Sequence, residues 1–108
     1  MNVIIGTGTL TNALANIDSN AVQAGQYRVV KAVTLCNKTA SDVWVTMQFN
    51  NTNILHQYVV PGYGDREENT VTIPFFDQVM NAGQRITGRA EVSSAIDFYI
   101  SGIEADVI

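Results

Sequence analysis

From Val43 to Phe49 the chain alternates. Val43, Val45, Met47 and Phe49 fall on one face, and Trp44, Thr46 and Gln48 on the other. A period of two marks a strand with one face turned to a core. The stretch "QYRVVKAVTLC", Gln26 to Cys36, is rich in β-branched residues and predicts a long strand before it. "NKTASD" between them has turn composition. After "NTN", the run "ILHQYVV" gives a third strand. Two short polar loops in succession predict an antiparallel meander. Further on, "VTIPF" reads as a short strand that ends at Pro74 or lies at an edge, because proline cannot donate to a ladder. "DQVMNAG" reads as a turn with Gly83 at positive φ. "QRITGRAEV" follows as a strand, and "AIDFYISGIEADVI" closes the chain. In the latter Ile96, Phe98 and Ile100 oppose Asp97, Tyr99 and Ser101.

The start is less regular. Leu10, Ala13, Leu14 and Ile17 have helical spacing. Asparagine is poor inside helices and every other element is β, so "TLTNALANI" is read as a strand. The whole is an all-β chain of roughly seven or eight strands, an antiparallel β-sandwich or jelly roll in one domain. Residues 1–8 form an N-terminal arm or the first strand, and residues 9–108 the sandwich domain. A chain of 108 residues fits a single domain.

The opening "VIIGTGTLTNAL" raises a nucleotide-binding reading, since Gly6-Thr7-Gly8 follows an apolar run. A dinucleotide fingerprint needs a third glycine for close helix–strand packing, and that place is Thr11. It also needs an acid at the end of the second strand, where Leu35-Cys36-Asn37 stands. The glycines are better read as a flexible entry into the first strand.

Only 15% of residues are charged, against a usual share of about 25%. Either part of the surface is covered by other chains, or Asn, Thr, Ser and Gln take the place of charges. Net charge is −4, and the six basic residues are scattered, which argues against a nucleic-acid groove. No apolar run approaches the ~18 residues of a membrane span, and no signal peptide is visible. Cys36, the single cysteine, excludes an internal disulfide and reads as a buried, inert thiol. The N-x-[ST] matches at Asn37 and Asn50 carry little weight without a secretion signal.

Catalytic and metal chemistry find little support. His56 is the only histidine and has no local nucleophile signature beside it. One His and one Cys cannot build a structural zinc site. Asp65, Glu67 and Glu68 share a glycine-containing loop, but their spacing is not that of an EF-hand and Arg66 sits among them. No catalytic residue, cofactor or metal is expected, and the chain is read as a non-enzyme.

Contact residues are the remaining candidates. Tyr63 sits between Gly62 and Gly64 on a loop. Phe75 and Phe76 are adjacent, so strand alternation cannot send both into one core. Val3, Ile4 and Ile5 are apolar close to a terminus and could lie on a neighbour. Trp44 is a second core face, a protein contact or, with Tyr58 or Tyr63, a platform for stacking on sugars.

"VTLCNKTASDVWVTMQF" resembles a strand pair of the small tail, neck and head-decoration proteins of tailed bacteriophages. "VMNAGQRITGRAEVSSAIDFYISGIE" is similar to the segment that closes such proteins, with Gln84 where an acid is usual. The resemblance covers Val29 to Glu104. It implies a structural β-sandwich of the virion, made in a bacterial cytoplasm. Such a protein would decorate the capsid or form part of the neck or tail. Its partners would be copies of itself, in a ring or trimer, and neighbouring virion proteins. The interface residues would be Val3, Ile4, Ile5, Tyr63, Phe75 and Phe76. A carbohydrate-binding module of similar fold is the alternative.

Overall fold

Inward-facing aliphatic residues recur on almost every strand, and they close on one another as two packed sheets. A computed structural model describes residues 1–64 and 69–107, Asp77 by its backbone alone. Asp65, Arg66, Glu67 and Glu68 lie outside the described residues. The strands are β1 (Asn2–Thr9), β2 (Ala15–Asn16), β3 (Gln26–Asn37), β4 (Val43–Phe49), β5 (Thr52–Val60), β6 (Thr70–Asn81), β7 (Ile86–Ala90) and β8 (Ile96–Asp106). The first sheet runs β1-β8-β3-β6 and the second β2-β7-β4-β5. Every pairing is antiparallel. This strand order is that of a jelly roll, two four-stranded sheets wound from paired Greek keys.

The core lies between the sheets. β3 sends Val30, Val33 and Leu35 inward, β8 Ile96, Phe98 and Ile100, β4 Val43, Val45, Met47 and Phe49, all of them buried. Each such side chain contributes about 1.5–3 kcal/mol by leaving water. The alternation of β4 and of β8 is therefore as their sequences predict. The predicted meander is not formed. β3 and β4 lie in opposite sheets, because the "NKTASD" loop carries the chain across the sandwich. Asn37, fully buried at that crossing, donates from Nδ2 to the carbonyls of Ser41 (2.8 Å) and Val60 (2.9 Å), and its Oδ1 accepts from the Thr39 amide at 2.9 Å. Among the described residues β4 and β5 form the one hairpin between consecutive strands. Its two-residue loop is Asn50-Asn51, both at positive φ (51° and 58°), the geometry that matches strand twist.

Three other expectations change. "TLTNALANI" is neither helix nor full strand. After Thr9, which ends β1, only Ala15–Asn16 pairs, with β7, while Leu10 and Ile17 drop into the core from irregular backbone. β6 does not stop near Phe75 but runs to Asn81, kept in the sheet by a register shift opposite Lys31; as an edge strand it tolerates Pro74. Cys36 is half-buried on the outer face of the first sheet, because β3 alternates Leu35 in and Cys36 out.

Gly6 answers to packing. A Cβ there would collide with the Ile17 carbonyl oxygen, where the β2–β3 connection crosses β1. The Ser19 amide donates to the Ile5 carbonyl at 2.9 Å in the same crossing. No phosphate cradle is needed to explain the glycine.

Four charged side chains tie that connection to both sheets. Asp18, side chain wholly buried, accepts from Arg28 Nη1 (2.8 Å), Arg85 Nε (3.0 Å) and the Ile86 amide (2.9 Å). Arg28, also buried, donates from Nε to Glu104 (2.9 Å) and from Nη2 to the Asn20 carbonyl (2.7 Å).

Two stability outcomes follow. Asp18→Asn leaves the buried Arg28 one counter-charge short and should cost about 3–5 kcal/mol, whereas Glu91→Gln on the surface should stay within about 0.5 kcal/mol; denaturant unfolding reads both. Gly102→Ala would drive a Cβ into the Val29 carbonyl oxygen and to 2.8 Å from Ile5 Cδ1. It should lower stability by roughly 2–3 kcal/mol, a Tm fall on the order of 10–20 °C by circular dichroism.

Candidate interaction surface

Alternation that fills the core must also populate the outer faces, and on the first sheet it does so with few charges. β8 presents Asp97, Tyr99, Ser101 and Ile103 outward, and β3 presents Val29, Ala32, Thr34 and Cys36. Registers align these into rungs across all four strands. Val79, Val29, Ile103 and Asn2 make one; Pro74, Ala32, Ser101 and Ile4 the next; Thr72, Thr34, Tyr99 and Thr7 a third. The Thr34 and Thr72 hydroxyls lie 3.0 Å apart. Ile4 and Val79 are more than half exposed, and Tyr99 is exposed beside them. The rungs thus grade from aliphatic at one end to threonine at the other.

The threonine end carries the charge. Thr9 Oγ1 donates to Asp97 Oδ1 at 2.6 Å, and Lys38 Nζ approaches it at 3.1 Å. The Thr9 hydrogen bond is the main reason the Asp97 carboxyl titrates below its ordinary value; Lys38 adds to the shift and desolvation opposes it.

The second sheet's outer face is largely polar and internally bonded, apart from Val59, which pairs beside Trp44 and is more than half exposed. Gln48 Nε2 donates to Asn53 (2.9 Å), and Thr87 Oγ1 donates to Gln48 (3.2 Å). The Arg89 guanidinium lies over the half-buried Trp44 ring, 5.1 Å from its centroid. That ring face is covered and does not offer a platform to a sugar. His56 is exposed on β5, and among the described residues no three His, Cys, Asp or Glu side chains group as metal ligands.

The six predicted contact residues separate. Ile5 is buried in its own core, and Val3 and Phe75 are half-buried against it, Phe75 tilted on Phe49 with ring centroids 5.4 Å apart. Residues Asn2–Thr9 pair with β8 as strand β1. Ile4, Tyr63 and Phe76 are exposed, Phe76 at 88%. Val29, Val79, Tyr99 and Ile103 were not anticipated. Tyr99 was placed opposite Ile96, Phe98 and Ile100 by alternation, so the signal was present, but no partner strand was known to join it to Val79. At the β1–β8 edge an open cleft of about 400 Å³ is lined by Met1, Val3, Gln26, Glu104, Ala105 and Asp106.

This is a β-sandwich whose features lie on its faces and edges. No protein-family model matches the chain, and no curated protein matches it. Its fold is similar to a solved structure of Drosophila NLP-core, with a TM-score of 0.50 at 20% identity over 93% of this chain and 96% of that one. That structure is described as giving insight into pentamer formation and histone binding. The likeness shows a shared fold. It also corrects the expected kinship: the protein found is no part of a phage virion, and nothing ties this chain to a capsid, neck or tail. The virion role, the virion as location and the sugar-binding alternative are set aside. The segments that resembled phage proteins are strand alternation and turn chemistry, which any jelly roll requires.

Thr9→Val should return the Asp97 carboxyl toward its ordinary value. In the native chain the depressed value makes its contribution present above the unfolded carboxyl pKa and lost as pH falls through the folded one. A carboxyl-detected NMR titration should show the upward shift in Thr9→Val.

Proposed function

We propose that the chain is a non-enzymatic building block that assembles with copies of itself and binds a basic protein on its acidic exterior. The outer face of the first sheet carries this reading: aliphatic rungs at Val79-Val29-Ile103 and Ile4-Ala32-Pro74 stand in water on a chain that has few charges. Exposed apolar patches of this kind mark interaction sites. The likeness to NLP-core, described in terms of pentamer formation and histone binding, supports both parts.

The charge distribution favours a basic partner. Arg28, Arg85 and Lys38 bind carboxylates, and Arg89 lies over Trp44. Asp42, Glu91 and Asp106 are held by neutral donors, the amides of Gly62 and Trp44 and the side chain of Gln26. Four of the described cations are thus engaged within the chain, while Asp42, Glu91 and Asp106 keep their charge beside neutral donors, within a net charge of −4. Steering of a basic partner then depends on ionic strength.

Light scattering on the purified chain should give a mass several times 11.8 kDa. Core histones should be retained by the immobilised protein at low salt and released at high salt, while an acidic protein of similar size passes through. A monomer at all concentrations would overturn the assembly; histone retention equal to that of the acidic control would overturn the basic partner.

A further inference from the structure

The sandwich is closed on one side and open on the other. On the closed side stand the edge strands β1 and β2. The segment from Leu10 to Val22, which includes β2, runs across that side and is bonded to both sheets. In the first sheet the Leu10 amide donates to the Ile96 carbonyl (2.9 Å) and the Ser19 amide to that of Ile5 (2.9 Å); in the second the Ile17 amide donates to Ile86 (3.0 Å). Leu10 and Val22 are thereby buried in the core.

On the opposite side the sheets end at β6 and β5. The connection between these two strands, where it is described, folds on the β3–β4 loop beyond their ends. There the Tyr63 amide donates to the Thr39 carbonyl (3.0 Å) and the Gly64 amide to that of Ala40 (3.2 Å). The inward side chains of β5 and β6 are left with one flank in water. Among the described residues six apolar side chains pack on the core while only partly buried, and four of them, Ile54, Val71, Ile73 and Phe75, belong to these strands. Tyr58 pairs with the buried Val45 yet is 36% exposed, and Phe76 stands out at 88%. Pro74 and Val79 of β6 join this flank to the aliphatic rungs of the outer face.

Neither strand is shaped to pair with another. β5 has register shifts on either side of the Met47–Leu55 pair and holds Gln57 at φ 48°; β6 has its shift opposite Lys31, next to Pro74. Bulges and proline at an edge bar strand addition, so contact here is made by side chains. Edges are commonly blunted with charge as well, and these are not. β5 and β6, nine and twelve residues long, hold one charged residue between them, Asp77. Aromatic residues with charge depleted are the composition of an interface core.

We propose that a second copy of the chain seats on the β5–β6 flank. This rests on the self-assembly reading and names where the copies meet. Charge selects the occupant. Copies of a chain with net charge −4 repel one another, so contact between them is least opposed where carboxylates are fewest. A basic partner is drawn instead to carboxylates, and Asp42, Glu91 and Asp106 stand outside both strands. The flank serves assembly and leaves those carboxylates to the basic partner.

Light scattering at matched concentrations compares the native chain with Tyr58→Asp and Phe76→Asp on the flank, and with Val92→Asp beyond β7, which adds the same charge elsewhere. Circular dichroism verifies folding. The native chain and Val92→Asp should be oligomeric, and each flank variant should need about tenfold more protein to assemble. Phe76 is almost wholly exposed, so Phe76→Asp keeps the fold and decides the matter should Tyr58→Asp unfold. Flank variants that assemble like the native chain overturn the junction and leave self-assembly standing. Equal dissociation of Val92→Asp makes added charge the cause and also overturns it. Core-histone retention lost in the flank variants while their oligomer persists gives the flank to the basic partner instead. A monomeric native chain overturns both readings.

Discussion

One buried carboxylate holds the sandwich in register. Asp18 sits on the β2–β3 connection and takes donors from β3, from Arg85 ahead of β7 and from the first amide of β7. β3 belongs to the first sheet and β7 to the second. The carboxylate therefore clamps two layers that otherwise meet mainly through non-directional apolar packing, with the Asn37–Val60 hydrogen bond as a second directional tie at the β3–β4 crossing. Dispersion and burial would accept a slide of one sheet over the other; three fixed donors would not. Because Arg28 shares its charge with Glu104 on β8, the clamp also reaches the middle of the first sheet. A buried ion pair is a weak source of net stability but a strong penalty on any arrangement that breaks it.

That anchoring leaves the outside free to differ from edge to edge. The first sheet keeps β8 and β3 as its central strands and exposes β1 and β6. The Asp18 connection crosses β1 at Gly6, which fixes that edge. β6 is held by the regular rungs on either side of its bulge, so Phe76 is displayed between two paired stretches. Surface side chains supported in this way lose little entropy on contact, a condition for efficient protein–protein association.

Much of the architecture was legible in the residues. The alternation in Val43–Phe49 and Ile96–Ser101 divided inside from outside except at Thr46, which is buried, and Gly83 (φ +84°) falls where the chain turns, while the turn expected at "NTN" lies at Asn50-Asn51. What periodicity could not reveal was which strand pairs with which. It reports a face and says nothing of the neighbour, so the meander was expected where the chain in fact crosses between sheets. The Asp18 clamp was invisible for the same reason: its members stand at positions 18, 28, 85 and 104, far apart in sequence and without a local motif. The surface was half legible. Phe76 and Ile4 stood out as apolar residues without a place in the core, but the rungs through Val79 and Tyr99 required the registers. Function was least legible, because loose strand and turn patterns are common to unrelated jelly rolls.

The placement of β8 bears on how the chain is made. β8 follows every other strand in synthesis yet lies between β1 and β3. Until it emerges from the ribosome, the first sheet lacks a plank in its middle, and β1 and β3 present unpaired edges. Such non-local pairing slows folding to milliseconds or longer and leaves nascent chains prone to joining one another. Wild-type yield should therefore respond to translation rate and to holdase chaperones more than thermodynamic stability alone would suggest.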